Sequence, residues 1–224
     1  MEGGERGAVL AVFEDLGGYG AVARQQGEGG GPLVGHLLKT NIQLAAIPVF
    51  ARKGIDDTTV NDLLEAARVS RRTFYKHFAN KMDVLACIYQ TSVVLLLLER
   101  FRALREASGS DEAWLRAMVR CFFDYHLAVG PIIRLMQEEA MRSGSPLASH
   151  RRRAHEALVA LLDERLRISG SALEPLTGRA LIWALEAASL DLLASAAPRA
   201  QIEQATAVLG DLLIAALRPQ GGPV

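Results

Sequence analysis

The chain has 224 residues, of which 50% are apolar and 22% are charged, so it can bury a sizeable core in one large domain or two small ones. Its 25 basic and 25 acidic residues balance to a formal net charge of zero. The overall charge therefore indicates no nucleic-acid partner, and only local charge can do so. The two cysteines, Cys87 and Cys121, lack CxxC spacing and a companion pair, which argues against a zinc site or a disulfide framework and favours a reducing compartment.

The first 35 residues differ in composition from the rest, because they hold eleven of the 20 glycines. The run GEGGGP has no side chains that could pack, so we predict a flexible arm at residues 1–35. An arm that lies along a DNA groove is the alternative, but it has few basic residues to offer, namely Arg6, Arg24 and His36. We predict a second flexible segment at residues 219–224.

The sequence shows neither a signal peptide nor a membrane span. The start MEGGERG lacks the basic region and long apolar core of a signal peptide. The most apolar run, Val93 to Leu98, is far shorter than the ~20 residues that a membrane-spanning helix needs. We therefore expect a cytoplasmic protein with no membrane partner.

From Lys39 onward, apolar residues recur at helical spacing, and no stretch shows the two-residue alternation of a half-buried strand. Pro48 should weaken or bend the first helix, which ends at Gly54, because proline lacks an N–H donor. Thr59 and Asp62 have the spacing of a capping box at the start of the second helix.

Capping residues also mark the next two helices. Ser70 should cap a third helix that ends near Phe78, and Asn80 a fourth. The later helices are predicted at Lys81 to about Ala107, Asp111 to Val129, Pro131 to about Met141, about Leu147 to Ile168, about Leu176 to Ala196, and Pro198 to near Leu217. We predict an all-α fold of about nine helices, with an N-terminal three-helix helix-turn-helix domain at residues 36–85 and a C-terminal helical domain at residues 86–218.

The segment from Arg68 to Lys81 carries five positive charges and no acidic residue in 14 positions. Such a cluster binds a phosphate backbone with release of counterions, although a solvated basic face is the alternative. Phe74 and Phe78 share one face of the third helix, which leaves its polar residues outward. Nine helical residues span about 13 Å, which suits a major groove about 12 Å wide. Following a capped helix and a short turn, this helix completes a helix-turn-helix.

The chemistry of these residues suggests roles for them. The first turn of a groove-inserted helix reaches base edges, and an arginine there can bind guanine O6 and N7. Later residues of the helix suit phosphates or thymine methyls, and Thr59 and Lys81 lie at helix N-termini that favour phosphate. The predicted DNA-binding residues are Thr59, Ser70, Arg71, Arg72, Thr73, Tyr75, Lys76, His77 and Lys81.

The stretch KGIDDTTVNDLLEAARVSRRTFYKHFANKMDVL, which follows a helix through Ile42 and Phe50, resembles the DNA-binding domain of TetR-family regulators. The resemblance rests on TTV at the start of helix two, VSRRTFYKHF as the recognition helix and NKMDVL at the start of helix four. Two positions depart from the family pattern: Pro48 within helix one, and Arg72, where the family often has glycine.

The resemblance implies a homodimer that binds a palindromic double-stranded DNA operator, with the last two helices paired across the dimer. It also implies that a small molecule binds in the C-terminal domain and releases the DNA. The sequence ALIWALEAASLDLLASA is apolar around much of its helical circumference, so it needs partners on two sides. A dimer interface or burial within the chain would satisfy it.

A set of large apolar residues with a few polar tips indicates a ligand pocket, although each member could also be ordinary core. Tyr125 and His126 are the best polar candidates, while His155 and Glu186 are weaker ones. Residues 151–153 are a basic run, either a solvated face or a site for an acidic effector group. The predicted effector-pocket residues are Trp114, Met118, Cys121, Phe122, Tyr125, His126, Met136, Met141 and Trp183.

The sequence has no Glu-x-x-His pair, GxSxG motif, glycine-rich phosphate loop or His/Cys cluster. We therefore expect no enzymatic activity, no cofactor and no metal. A helical protein-interaction module with an incidental basic helix is the remaining rival, and it predicts no sequence-specific DNA binding.

Overall fold

A computed structural model describes residues 30–168 and 173–217, and these residues form helices joined by short connections, with no strand among them. The helices are α1 Gly30–Lys53, α2 Val60–Ala67, α3 Arg71–Tyr75, α4 Lys81–Ala107, α5 Asp111–Val129, α6 Pro131–Met141, α7 Pro146–Ile168, α8 Pro175–Ala194 and α9 Arg199–Leu217. Within α4, the stretch Gln90–Leu97 is π-helical. The prediction of an all-α fold with about nine helices is confirmed for the described residues.

The recognition helix α3 is shorter than the sequence predicts. It ends at Tyr75, because the His77 N–H donates to the Phe74 carbonyl three residues back and tightens the chain into a turn. The Phe78 N–H still reaches the Phe74 carbonyl at 3.0 Å, so the turn keeps Phe78 on the same side as Phe74. At Asn80 the backbone becomes extended, and α4 begins one residue later.

The other differences lie at helix ends near glycine or proline. Helix α1 begins at Gly30, so residues 30–35 of the predicted arm are helical, whereas residues 1–29 and the predicted tail lie outside the described residues. Helix α1 continues through Pro48, whose side chain is exposed. Helix α8 stops at Ala194, two residues before Ala196 takes a left-handed φ of 46°.

The chain divides into two compact units. The described part of unit 1 comprises residues 30–92 and 128–148, in which α1 packs against α2, α4 and α6. Asn41 on α1 donates a side-chain hydrogen bond to the Ala67 carbonyl at the end of α2, at 3.0 Å. The fully buried residues of this unit include Ile42, Ala46, Phe50, Leu63, Phe74, Val84, Leu85 and Ile133.

Unit 2 comprises the described residues 93–127, 149–168 and 173–217, and in it α8 packs against α9. Trp114 is 1% exposed, and its indole N–H donates to the Phe101 carbonyl at 3.3 Å. Arg165 lies over the Trp114 ring and donates to the Asp111 carboxylate. An aromatic residue with a satisfied polar tip thus anchors the core of this unit.

By length and hydropathy alone, two helices of the described chain could cross a membrane: α4 and α9. Of the most apolar stretch of each, 47% is buried in α4 and 22% in α9. Core helices of soluble proteins meet the same criteria, so this is weak support for a membrane span. It does show that Val93 to Leu98 belongs to a long apolar helix, and that α9 leaves most of its apolar surface uncovered within one chain.

Candidate nucleic-acid interface

The second helix starts with the predicted capping box. The Thr59 N–H donates to Asp62 Oδ2 at 2.8 Å, and the Asp62 N–H donates to Thr59 Oγ1 at 3.3 Å. Lys53, at the end of α1, reaches Asp62 Oδ1 at 2.7 Å. The hydrogen bond from Lys53 and those from Thr59 hold the pKa of the Asp62 carboxyl well below its usual range. The carboxylate therefore stays charged and fixes the start of α2 against the end of α1.

The turn between α2 and α3 is tight. Arg68 adopts a left-handed φ of 53°, and its N–H donates to carbonyls of the last turn of α2. The Val69 N–H donates to the Leu64 carbonyl at 3.1 Å, which completes the helix end. At the next residue, Ser70 Oγ accepts from the Thr73 N–H at 3.1 Å. The predicted turn and the predicted cap of α3 are both confirmed.

The recognition helix has one buried and one exposed face. Phe74 is 0% and Phe78 3% exposed, and their ring centroids lie 5.8 Å apart. Tyr75 is 49% exposed, and the outward residues also include Arg71, Arg72 and Lys76. His77 is only half-buried, and its ring lies beside Gly35 of α1, where an added Cβ would be 3.7 Å away.

The exposed cations of α3 differ in what they bind. The Arg71 guanidinium donates to Asn61 Oδ1 on α2. Among residues 30–168 and 173–217, neither Arg72 nor Lys76 forms an ion pair with a carboxylate. Two positive charges of α3 thus remain unneutralised on its exposed face, which is the electrostatic requirement for binding phosphate.

Lys81 has a different environment from the one the sequence suggests. Its ammonium group donates to the carbonyls of Ile55, Asp56 and Thr58 at 2.7, 2.8 and 2.7 Å. An ammonium group has three N–H donors, and three carbonyls take them. Lys81 therefore fixes the connection between α1 and α2, next to Thr59.

The start of α4 carries the predicted cap. The Asp83 N–H donates to Asn80 Oδ1 at 3.0 Å, and the Ala79 N–H donates to Asp83 Oδ2 at 2.8 Å. These two bonds satisfy donors on either side of Asn80 and fix where the chain leaves the recognition helix.

Unit 2 contains a small apolar cavity. It is lined by Phe101, Met118, Phe122, Leu158, Leu162, Leu181, Ile182, Leu185 and Leu213. Its empty volume is about 390 Å³ including space open to solvent, but only about 20 Å³ is available to the centres of water molecules. The smaller figure describes the enclosed space, which is room for about one water. The cavity therefore offers little free space between its apolar side chains.

The predicted effector-pocket residues are dispersed. Met118 and Phe122 line the cavity, and the His126 ring stacks on the Phe122 ring with centroids 3.9 Å apart. Met136 is fully buried in unit 1, whereas Met141 is 52% and Trp183 46% exposed. Trp114 and Tyr125 are buried in unit 2, and Cys121 is half-buried, with the pKa of its thiol raised by burial.

A polar cluster is buried in the same unit. Glu186 on α8 accepts from His155 Nε2 at 2.8 Å and from Arg151 at 3.2 and 2.6 Å, both residues of α7. Burial by itself raises the pKa of Glu186, but the hydrogen bonds from His155 and Arg151 outweigh it and leave the pKa below its ordinary value. Arg151 is thus paired with a buried carboxylate, unlike a residue of a wholly solvated basic face.

Two further buried polar residues of this unit are His126 and Ser189. Burial lowers the pKa of His126 to about 4, and its Nδ1 lies 2.7 Å from the Phe122 carbonyl, so Nδ1–H is the donor. Ser189 is 1% exposed, and no described residue hydrogen-bonds to its hydroxyl. Sequence reasoning missed Ser189, although its position three residues after Glu186 places both on one face of a helix. Within the described residues, no cluster of His, Cys, Asp or Glu is arranged to hold a metal ion.

Residues 42–88 match the family model described as "Bacterial regulatory proteins, tetR family". The match covers the second half of α1, all of α2 and α3, and the capped start of α4. The HTH-type transcriptional activator FasR of Mycolicibacterium smegmatis is 30% identical over 149 residues, or 66% of this chain and 67% of that protein. The chain belongs to the TetR family of transcriptional regulators. It is a DNA-binding protein of the helix-turn-helix class.

Another curated regulator and a solved structure are also similar to this chain. The HTH-type transcriptional repressor SCO4008 of Streptomyces coelicolor is 25% identical over 112 residues, or 50% of this chain and 54% of that protein. The structure of the regulator FadR from Bacillus subtilis, in complex with stearoyl-CoA, superposes with a TM-score of 0.67 over 79% of this chain and 98% of that one. At 18% identity, that match shows a common fold.

Proposed function

We propose that this TetR-family regulator is a ligand-responsive repressor, which binds a palindromic operator as a homodimer and is released by a small, mainly apolar effector. The observation that carries the DNA-binding part is the exposed face of α3, where Arg72 and Lys76 lack carboxylate partners within the described chain. The residues proposed to bind DNA all lie between Thr59 and Lys81, within the segment that matches the family.

We assign sequence recognition to the first turn of α3. Arg71 and Arg72 are exposed there, and either guanidinium can bind guanine O6 and N7. Thr73 lies in the same turn, and its hydroxyl is 2.9 Å from the Ser70 hydroxyl. These side chains supply the hydrogen-bonding groups that distinguish base pairs in the major groove.

Contacts to the DNA backbone are assigned to the later part of the motif. Tyr75 and Lys76 are exposed, and half-buried His77 can reach the same strand, so these three suit phosphates or thymine methyls. Thr59 and Ser70 bring the starts of α2 and α3 towards the backbone. Lys81 contributes by holding the connection before Thr59, since its donors are bound to carbonyls.

Dimerisation is assigned to the last two helices. Large apolar side chains are exposed there, and they lie on both helices: Leu176, Trp183, Val208 and Leu212. Exposed apolar side chains concentrated on two packed helices favour an interface with another chain. One recognition helix reads only a few base pairs, so pairing two copies at a fixed spacing supplies the affinity that an operator requires.

The effector site is assigned to the cavity of unit 2, within the proposed C-terminal domain at residues 86–218, whereas the proposed DNA-binding domain is residues 36–85. Its apolar lining, which includes Met118 and Phe122, favours an apolar ligand. The enclosed space is small, so a ligand must displace side chains as it enters. Such displacement is a means by which binding alters the equilibrium between conformations.

We place the protein in the cytoplasm, where the operator and small metabolites are both accessible.

A binding-site selection with the purified full-length chain and random duplex DNA tests this function. We expect enrichment of one short inverted repeat, with affinity that falls steeply as salt rises. In vitro transcription from a promoter that contains the selected repeat then separates repression from activation. Equal affinity for all recovered sequences would contradict specific DNA binding, and increased transcription would contradict the repressor assignment alone.

A further inference from the structure

Three helices of unit 2 carry a repeated pattern of apolar and polar positions. Each has a residue that lines the cavity and, about one turn further along the same face, a buried polar residue. The pairs are Phe122 and His126 on α5, Leu158 and His155 on α7, and Ile182 and Glu186 on α8. The polar residue follows the cavity residue in the sequence on α5 and α8, and it precedes the cavity residue on α7.

The polar members of these pairs lie about one helical turn from residues that line the cavity, and they do not line it themselves. His155 and Glu186 are joined by a 2.8 Å hydrogen bond, and Arg151 closes the far side of the Glu186 carboxylate at 2.6 Å. The stacking of His126 on Phe122 places it directly beside a cavity residue. We call His126, Arg151, His155, Glu186 and Ser189 the polar layer of unit 2.

Ser189 is the member whose hydrogen bonding is incomplete. A helical serine ordinarily donates to the carbonyl three or four residues back, yet this buried hydroxyl bonds to no described residue. Leaving a buried hydroxyl unsatisfied is unfavourable, so such a group indicates a missing partner. Ser189 lies four residues after cavity residue Leu185 on α8, and therefore one helical turn beyond it on the same face.

The charges of the layer favour an uncharged partner. Glu186 is paired with Arg151 and His155, and His126 is uncharged at neutral pH because burial lowers its pKa. The acidic groups next to the layer in sequence, Asp124 and Glu156, are exposed. A ligand ammonium or carboxylate would add a buried charge for which the layer has no unused counter-ion. A hydroxyl adds no charge and can both donate and accept a hydrogen bond.

We propose that the polar layer binds the hydroxyl end of an elongated, uncharged aliphatic alcohol, with Ser189 as its hydrogen-bond partner and the alkyl chain in the apolar cavity. The proposal rests on the assignment of unit 2 as the effector site. A narrow unbranched chain suits a cavity with so little free space, because it requires the smallest displacement of the lining side chains.

Isothermal titration calorimetry of the full-length protein with 1-octanol, octanoate and octylamine tests the proposal. We expect 1-octanol to bind about tenfold more tightly than either charged analogue. Ser189→Ala should weaken 1-octanol binding about tenfold, the effect of losing one neutral hydrogen bond, without lowering the melting temperature. Ser195→Ala is the matched control, because Ser195 lies at the exposed end of α8 and donates to the Asp191 carbonyl.

Equal or tighter binding of a charged analogue, no binding of 1-octanol, or an unchanged affinity in Ser189→Ala would each overturn the proposal. A DNA-release assay with the selected repeat separates this result from the proposed function. If 1-octanol binds through Ser189 but does not release DNA, the site stands and the effector role fails. If other compounds release DNA while 1-octanol does not bind, the effector role stands and the ligand class is wrong.

Discussion

Arg71 of the recognition helix donates a hydrogen bond to Asn61 of the preceding helix, across ten residues of sequence. The bond holds the Arg71 guanidinium in one orientation against α2 in the absence of DNA. A side chain that is oriented in advance loses less conformational entropy when it binds a base. Asn61 is therefore a positioning residue for the proposed base contact.

Asn61→Ala should weaken operator binding by about 0.5–1 kcal/mol, because Arg71 loses its restraint but keeps its charge. Arg71→Ala should lose roughly 1–3 kcal/mol of discrimination at one base pair. Fluorescence anisotropy with the selected repeat and with single-base variants measures both effects. When Asn61→Ala and Arg71→Ala are combined, the loss of operator-binding free energy should equal that of Arg71→Ala alone. Additive losses would show that the two residues act independently.

Lys81→Met should lower the free energy of unfolding by about 2 kcal/mol, since three carbonyls lose a charged donor. DNA affinity should also fall, because the connection before Thr59 loosens. The dependence of binding on salt should not change, however, because Lys81 contributes no phosphate contact. Urea unfolding and anisotropy titrations at several salt concentrations provide the two measurements.

Lys76→Ala is the matched comparison for that experiment. Lys76 is exposed and unpaired within the described chain, so its removal should reduce the slope of log K against log salt by about 0.9 while leaving stability nearly unchanged. A slope that falls equally in Lys81→Met would mean that Lys81 exchanges its carbonyl partners for a phosphate on binding.

Trp183→Asp and Leu212→Asp should each convert the proposed dimer into monomers at micromolar concentration. Both side chains are about half exposed on α8 and α9, at 46% and 53%, and a buried aspartate in the interface would be unpaired. Sedimentation equilibrium should give twice the 24.2 kDa chain mass for the wild type and the single mass for the variants. Leu127→Asp, at an exposed leucine on α5, should remain dimeric, and dimers in all three variants would place the interface elsewhere.

Stability should fall as the pH falls from 7 towards 4, in part because of His126. Its folded pKa is about 4, against 6.5 for the free side chain, so between these values the unfolded chain binds the proton that the folded chain excludes. Protonation therefore stabilises the unfolded state. At pH 5 it lowers the free energy of unfolding by about 2 kcal/mol through this group. Urea unfolding at pH 7.5 and pH 5.0 gives the free energy of unfolding at each pH. The difference between the two values should be smaller in His126→Gln than in the wild type by about 2 kcal/mol. Equal differences in the two proteins would show that His126 titrates normally.

The DNA-binding motif could largely be predicted from the sequence because its structure is local. Thr59, Ser70 and Asn80 each bond a backbone N–H three residues ahead, so residue type and spacing alone identify the start of each helix. Phe74 and Phe78 follow the same rule, since residues four apart share a face. The end of α3 was harder to predict, because the turn after Tyr75 is set by a backbone bond that several sequences could form.

For the effector region, the sequence predicts which types of residue are present but not what surrounds each side chain. Helical periodicity places Trp183 on an apolar helix but does not say whether that face meets a cavity, a neighbouring helix or solvent. Met136 is buried and Met141 half-exposed, although both lie on α6 and have the same side chain. These outcomes depend on which helices pack together.

The sequence by itself determined the helix-turn-helix, its caps and its positively charged recognition helix, because these depend on interactions within a few residues. Only the tertiary structure decided that Lys81 binds carbonyls 23 to 26 residues away, and that Glu186 pairs with His155 across 31. Helix packing brings such residues together, and it allows one side chain to hydrogen-bond with several partners at once. The physical reason is that an ammonium group can bind a phosphate or a backbone carbonyl, and a carboxylate can bind an arginine, a histidine or a backbone N–H. The folded chain selects the partner by bringing it within 3 Å.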